Sequence, residues 1–239
     1  MGPMTSRGSG TGPGRFEDND ARGAHVASDD GATIVLVRHA TTPATGKRLG
    51  GWTPGVHLDE AGTVQAEATA ERLRDVRIAA VYSSPLERTQ DTARIVARPH
   101  GLRVRTQRGL GEVDFGEWTD KPLGQLRRRK LWQVVQATPS RMTFPGGESI
   151  RGVQGRAVEA TESLASEHAG DSIVCVSHAD VIKLIVAHHL GMPLDSFQRL
   201  VISPASITVL HLPATGHPVL LVVNDTGPAA LPLPTKADN

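Results

Sequence analysis

The chain alternates between short apolar runs and longer stretches in which apolar residues recur at helical spacing. The apolar runs cover residues 33–37, 78–82 and 172–176. Runs of about five apolar residues without polar alternation are typical of strands that are covered on both faces. We therefore predict three buried strands, each followed by a helix or a polar segment.

Helical spacing appears in the stretches between and after these runs. Apolar residues recur with a period near 3.6 within residues 86–97, 150–165 and 179–190. Ser84 and Pro85 are the residue types that are preferred at the N-cap and at the first helical position. The pattern therefore predicts three helices, the earliest of them capped by Ser84.

Strands that are interleaved with helices predict an α/β protein, a three-layer sandwich whose mostly parallel sheet has helices on both faces. Two further apolar segments, residues 207–212 and 219–223, flank a Pro-Ala-Thr-Gly turn and predict a C-terminal antiparallel hairpin. Residues 1–30 and 227–239 have no apolar periodicity. Such segments bury too little apolar surface to offset the entropy that ordering costs, so both are predicted to be disordered.

Composition and charge exclude several classes of protein. The 26 Lys and Arg residues nearly balance the 25 Asp and Glu residues, whereas a protein that binds nucleic acid usually has a basic excess. No apolar stretch reaches the length of about 18 residues that a transmembrane helix needs. The single cysteine, Cys175, fits a reducing compartment. We expect a cytoplasmic protein that binds neither nucleic acid nor membranes.

Cationic and imidazole side chains follow each predicted strand. Arg38 and His39 follow the first strand, Arg88 lies in the first helical turn after the second, and His178 follows the third. The carboxyl ends of parallel strands meet at one edge of a sheet, where ligands bind. Guanidinium groups and helix N-termini bind phosphate, and a neutral imidazole among cations is a competent nucleophile. The pattern indicates phosphate chemistry without a metal ion.

Phosphoryl transfer from an ester also requires a proton for the departing alcohol oxygen. Residues 110–118 supply three carboxyl groups, those of Glu112, Asp114 and Glu117. Sequence spacing does not distinguish among these three side chains, so each is a candidate for the general acid.

Five motifs together resemble those of the histidine phosphatase superfamily, which includes the cofactor-dependent phosphoglycerate mutases. In order, they occupy residues 37–41 (Val-Arg-His-Ala-Thr), 83–93, 110–118, 145–149 (Pro-Gly-Gly-Glu-Ser) and 176–180 (Val-Ser-His-Ala-Asp). The resemblance covers about residues 31–226 and implies one catalytic domain there, with a variable cap at about 119–147. Residues 114–118 are more similar to the broad phosphatase branch than to the glycolytic mutases.

The resemblance implies a role for each candidate side chain. His39 would be the phosphorylated residue, and Arg38, Arg88 and His178 would form the phosphate pocket. Glu112 would be the general acid and base, a choice that the resemblance makes and sequence spacing does not.

Three further residues, Thr45, Gly46 and Ala179, are expected to contact the substrate. Thr45 stands where the family often has asparagine, and its hydroxyl group can still hydrogen-bond to a phosphate oxygen. Ala40 replaces the glycine that usually follows the catalytic histidine, and its methyl group is expected to crowd that turn.

The sequence thus predicts a metal-independent phosphatase, with no cofactor, that hydrolyses a small phosphorylated metabolite through a phosphohistidine on His39. One alternative is a phosphomutase of the phosphoglycerate mutase type, which uses the same intermediate. A second alternative is a non-catalytic module that binds a phosphorylated ligand. Binding alone would require neither His39 nor Glu112, so both residues argue against that module.

Two other features have a structural interpretation. Residues 127–130 form a basic run that predicts a solvated helix face, with a clamp for anionic substrates as the alternative. His188 and His189 are adjacent, and neighbouring helix positions point about 100° apart, so we do not expect the two side chains to share a metal ion.

Overall fold

The predicted apolar runs form the inner strands of a six-stranded mixed sheet. In the computed structural model, residues 2, 30–228 and 231–236 are described. The sheet has the order β3-β2-β4-β1-β5-β6. Its strands are β1 (Ala32–Arg38), β2 (Ala80–Ser83), β3 (Val104–Thr106), β4 (Ser172–Ser177), β5 (Ile207–Leu212) and β6 (Val219–Asp225). The strands β1 to β4 pair in parallel, whereas β5 pairs antiparallel with β1 and β6. The α/β class and the C-terminal hairpin are confirmed.

Six α-helices and five short 3-10 segments connect these strands within the described residues. The α-helices are α1 (Glu60–Leu73), α2 (Glu87–Ala97), α3 (Leu123–Leu126), α4 (Lys130–Ala137), α5 (Ile150–Glu167) and α6 (Ala179–His189). The 3-10 segments are Arg98–His100, Arg108–Leu110, Gly116–Trp118, Pro139–Arg141 and Leu194–Arg199. None of these helices has both the length and the hydropathy that crossing a membrane requires.

Alternate residues of the central strands belong to two separate hydrophobic cores. Ile34 and Leu36 of β1 pack in the core that includes residues of α5 and α6. Val35 and Val37 pack with residues of α1 and α2 on the opposite face. Because both faces of the sheet are covered, its inner strands read as continuous apolar runs, as the sequence pattern predicted.

Helix α2 begins later than its sequence signals indicated. Its first residue is Glu87 and its N-cap is Leu86, which has extended backbone angles and makes no side-chain capping bond. The predicted capping residue, Ser84, instead has its hydroxyl oxygen 2.9 Å from Nε2 of His178. Ser84 is therefore engaged at the carboxyl edge of the sheet, and the prediction of its capping role was wrong.

The structure describes most of the C-terminal segment but little of the N-terminal one. Of the segment 1–30, all but residues 2 and 30 lie outside the described residues. The C-terminal segment was expected to be disordered, but residues 231–236 pack against the preceding fold. Leu233 is buried, and Thr235 forms an isolated antiparallel bridge with Val76. The apolar side chain of Leu233 supplies burial that the proline-rich composition of this segment obscures.

Candidate active site

The parallel strands β1, β2 and β4 end at one edge of the sheet, where they bring the predicted residues together. Arg38 is the last residue of β1, and His178 follows β4 directly. A cavity of about 230 Å³ lies at this edge. Seven of the eight predicted residues line it: Arg38, His39, Thr45, Gly46, Arg88, Glu112 and Ala179. The eighth, His178, is fully buried and does not line the cavity, and its ring centroid lies 5.3 Å from that of His39.

The ring of His39 is held in one tautomer. Its Nδ1 lies 2.8 Å from the carbonyl oxygen of Ala40. A carbonyl oxygen only accepts hydrogen bonds, so Nδ1 carries the proton and Nε2 keeps its lone pair. Burial, followed by the positive charges of Arg88 and Arg38, lowers the pKa of His39 to about 3. The imidazole is therefore neutral at physiological pH, with a nucleophilic nitrogen among cations.

His178 has the opposite tautomer. Its Nδ1 lies 3.3 Å from Nη2 of Arg88, which can only donate, so Nδ1 accepts. Its Nε2 then carries the proton and donates to the hydroxyl oxygen of Ser84 at 2.9 Å. Burial and the charge of Arg88 lower the pKa of His178 well below its usual value. Ser84 thus orients a neutral second imidazole.

Arg38 and Arg88 each use one donor nitrogen in a hydrogen bond to the backbone and leave another donor without a partner among the described residues. Arg38 donates to the carbonyl oxygen of Ile202 at 2.6 Å, and Arg88 donates to that of Gly51 at 2.9 Å. Nε of Arg38 and Nη1 of Arg88 are buried and have no hydrogen-bond partner among the described residues. A buried donor without a partner is costly. An anionic group in the cavity would meet both positive charges and offer acceptors to these donors.

Glu112 faces the two imidazoles from the loop after β3. Its Oε1 accepts a hydrogen bond from the backbone nitrogen of Val113 at 3.0 Å, and its Oε2 lies 3.7 Å from Nδ1 of His178. Burial, and next the negative charge of Asp180, raise the pKa of Glu112 to about 7. A carboxyl group with this pKa can both donate and accept a proton near neutral pH.

The other two carboxylates that sequence spacing left open lie elsewhere. Asp114 accepts a hydrogen bond from the backbone nitrogen of Gly116 at 2.9 Å and lines a separate cavity. Glu117 does not line the cavity that contains His39. Of the three candidates, only Glu112 lines the cavity that contains His39.

Two residues outside the predicted set of site residues, Trp52 and Arg156, hold the backbone of Glu112. Nε1 of Trp52 donates to the carbonyl oxygen of Glu112 at 2.7 Å, and Nη2 of Arg156 donates to the same oxygen at 2.9 Å. Arg156 lies on α5, far from the motifs at the strand ends. Its local sequence carries no signal for this contact, because the contact depends on how α5 packs against the loop.

Asp180 was also missed, although it lies within a recognised motif. It is the second residue of α6 and lines the cavity beside Ala179. Its Oδ1 lies 3.2 Å from Nζ of Lys183. Its place in that motif, directly after the predicted contact residue Ala179, was the available signal, since the first turn of a helix at a strand end faces the ligand.

The remaining wall of the cavity is partly apolar. Leu49, Val56, Phe115 and Leu123 line it. Leu123 belongs to α3, within the segment 119–147 that was expected to form a cap. The basic residues 127–130 are exposed and do not line the cavity.

The turn after His39 has room for the side chain of Ala40. Ala40 is fully buried, and its backbone nitrogen donates to Oγ1 of Thr92 at 3.1 Å. Its side chain packs with Ala66 and Ala205 in a small core of its own. Because these neighbours are small, the methyl group of Ala40 fits into the turn that it was expected to crowd.

Comparisons with known proteins found a matching family model and similar solved structures. The family model described as histidine phosphatase superfamily (branch 1) matches residues 34–226. A solved mycobacterial glucosyl-3-phosphoglycerate phosphatase, Rv2419c, superimposes with a TM-score of 0.74 at 26% identity, covering 81% of this chain and 99% of that one.

The curated relatives differ in how much of their own length this chain matches. Probable phosphoglycerate mutase GpmB of Yersinia pestis (strain Pestoides F) is 31% identical over 178 residues, which are 73% of this chain and 82% of that protein. Bifunctional protein Rv2228c of Mycobacterium tuberculosis (strain H37Rv) is 33% identical over 203 residues. That match covers 81% of this chain and 54% of the relative, so the chain spans about half the length of Rv2228c.

Proposed function

Because the chain belongs to the histidine phosphatase superfamily, we propose that it is a phosphatase that hydrolyses a phosphomonoester through a phosphohistidine on His39. The observation that carries this proposal is the tautomer of His39. Its Nδ1 is hydrogen-bonded to the carbonyl oxygen of Ala40, which leaves Nε2 unprotonated in the field of the guanidinium groups of Arg88 and Arg38. A neutral nucleophile next to fixed cations is what attack on a phosphate dianion requires.

In the first step, Nε2 of His39 attacks phosphorus in line with the bond to the ester oxygen. The P–O bond breaks as the N–P bond forms, and Glu112 gives its proton to the departing alcohol. Arg38 and Arg88 stabilise the charge that spreads over the transferring group, and His178 accepts a hydrogen bond from Arg88 and so helps to orient it. The pKa of Glu112, raised to about 7, supports this role because the carboxyl group is still substantially protonated at neutral pH.

In the second step, water attacks the phosphohistidine and Glu112 removes its proton. The N–P bond breaks, inorganic phosphate leaves and the lone pair returns to Nε2 of His39. The carboxyl group of Glu112 is then protonated again, so each turnover regenerates the starting state.

The cavity favours a small substrate. Its volume is about 230 Å³, and apolar side chains, among them Leu49, Val56 and Phe115, line part of it. Pockets for drug-sized ligands usually exceed about 300 Å³. We infer a small phosphorylated metabolite in which the phosphate binds among the cations and the alcohol contacts the apolar side chains.

Replacement of His39 tests the proposal. The variant His39→Ala should lose on the order of 10³-fold or more in kcat with an aryl phosphate, because no neighbouring group can accept the phosphoryl group. His57→Ala, at an exposed histidine, is the matched control and should keep normal turnover. Rapid quench with labelled substrate should trap an acid-labile phosphoprotein in the parent protein and none in His39→Ala. Near-normal turnover by His39→Ala would refute the mechanism.

The resemblance to a probable mutase gives the second candidate function. A phosphomutase would return the phosphoryl group from His39 to a substrate hydroxyl group instead of to water. Incubation with 3-phosphoglycerate and a bisphosphate primer distinguishes the two outcomes. We expect free phosphate to exceed the isomerised ester; the reverse ratio would favour the mutase. Phosphate binding with no turnover of any ester would favour the non-catalytic module.

A further inference from the structure

Helix α6 has different chemistry at its two ends. Its N-terminal end, at Ala179, borders the candidate active site. Its C-terminal end, at His189, lies about 15 Å away along the helix axis, given a rise of about 1.5 Å per residue. Groups at this second end are therefore separate from the proposed phosphatase chemistry.

At this end, two histidines meet a carboxylate from the neighbouring helix. Glu162 of α5, His188 and His189 each offer one ligand atom, and these atoms all lie within 4.8 Å of one another. The expectation that the adjacent histidines could not share an ion considered only the directions of their Cα–Cβ bonds. Their rings lie perpendicular, with centroids 5.2 Å apart. The side-chain torsions therefore bring ligand nitrogens together that the helix geometry alone would separate.

The surroundings of His189 also favour a bound ligand. Its Nε2 is buried and has no hydrogen-bond partner among the described residues. His189 and Glu162 line a cavity of about 420 Å³, and Asp30 lines it as well. Nearly all buried polar atoms in folded proteins have a partner, so a buried nitrogen that is left open calls for a ligand or for water. The cavity has room for either.

We propose that Glu162, His188 and His189 form a binding site for a divalent transition-metal ion of the Zn²⁺ type. Two imidazoles with one carboxylate are a donor set that suits zinc, and a fourth position remains for water. The carbonyl groups at the C-terminal end of α6 carry partial negative charge, which also favours a cation there. A bound ion would link α5 to α6 and stabilise their packing on this face of the sheet.

Calorimetric titration of the chelator-treated protein with ZnCl₂ tests this site. We expect one saturable site per chain. Glu162→Gln, His188→Ala and His189→Ala should each weaken zinc binding at least about tenfold, since loss of a group that merely supports a ligand already has an effect of that size. His57→Ala and His39→Ala are the matched controls and should bind zinc as the parent does.

Two further measurements keep the proposal falsifiable. Zinc should raise the melting temperature of the parent protein and leave that of Glu162→Gln unchanged, because a ligand stabilises only the fold that binds it. Glu162 is exposed, so this substitution should not itself unfold the chain. Anomalous diffraction from zinc-soaked crystals should peak between the three side chains. Binding that persists in all three variants, or that disappears in His39→Ala, would overturn the proposal.

Discussion

Arg156 and Glu148 form a bidentate ion pair next to the loop that carries Glu112. Nε and Nη2 of Arg156 lie 2.7 and 2.8 Å from the two carboxylate oxygens of Glu148. The same guanidinium donates to the carbonyl oxygens of Gly109 and Gly111, both at 2.8 Å, and to that of Glu112. One side chain of α5 thereby fixes three backbone positions of the loop. We infer that Arg156 positions the general acid.

Arg156→Lys should therefore impair catalysis more than substrate binding. A lysine ammonium cannot reproduce the planar set of donors, so the loop would shift. We expect kcat to fall about 10-fold to 100-fold, with a smaller change in KM, because the phosphate pocket is untouched. Steady-state kinetics with an alkyl phosphate measures both constants. Arg151→Lys, at an exposed position of α5, is the control. Unchanged kcat in Arg156→Lys would rule out the positioning role.

The pH dependence of kcat/KM should report His39 and Glu112. The first step needs neutral His39, whose pKa is lowered to about 3, and protonated Glu112, whose pKa is raised to about 7. With an alkyl phosphate, kcat/KM should therefore rise as pH increases through about 3 and fall as pH increases through about 7.

Glu112→Gln provides the control for this profile. The variant should lose the decrease near pH 7, because the amide does not titrate. The second ionisation of the substrate, near pH 6, affects both proteins equally, so the ratio of their profiles isolates the enzyme group. An aryl phosphate with a good leaving group should be less sensitive to the substitution. An unaltered profile in Glu112→Gln would remove Glu112 from the mechanism.

Asp180 should set the pH range in which Glu112 acts as the general acid. Its negative charge contributes to the raised pKa of Glu112, so Asp180→Asn should lower that pKa and move the alkaline decrease of kcat/KM to lower pH. The expected loss at pH 7 is up to about tenfold, which corresponds to one pKa unit. Lys183→Met, which removes the cation beside Asp180, should shift the profile in the opposite direction. Profiles that coincide in all three proteins would exclude this tuning.

Chelation should leave the reaction intact. In the proposed mechanism the guanidinium groups of Arg38 and Arg88 meet the charge of the phosphoryl group, so no step requires a metal ion. After dialysis against a strong chelator, we expect an unchanged kcat with an aryl phosphate. Any zinc bound at Glu162, His188 and His189 would affect the melting temperature instead. Loss of turnover that returned on addition of Mg²⁺ would contradict this expectation.

The C-terminal segment should contribute to stability without affecting catalysis. Leu233 is buried in the core that contains residues of α1 and α2. We expect Leu233→Ala to lower the free energy of unfolding by about 2 kcal/mol, at the low end for a buried leucine. Leu231→Ala, at a partly exposed position, should cost less. Urea denaturation measures both, and equal midpoints for Leu233→Ala and the parent would refute the packing.

The local pattern of the sequence was sufficient for the framework of the fold. Continuous apolar runs predicted β1, β2 and β4, because strands that are buried on both faces carry no polar alternation. The carboxyl ends of parallel strands necessarily meet, so Arg38, His39, Arg88 and His178 could be assigned to one site before their distances were known.

Contacts between distant segments required the tertiary structure. The choice of Glu112 over Asp114 was not available from spacing, because it depends on how the loop after β3 folds back over the sheet. The contact of Arg156 with that loop, the packing of Leu233 and the approach of Glu162 to His189 depend in the same way on helix packing. Periodicity records which face of an element is buried, but not which side chain of another element it meets. Burial and neighbouring charge also set the pKa values of His39 and Glu112, and both arise only when the chain is folded.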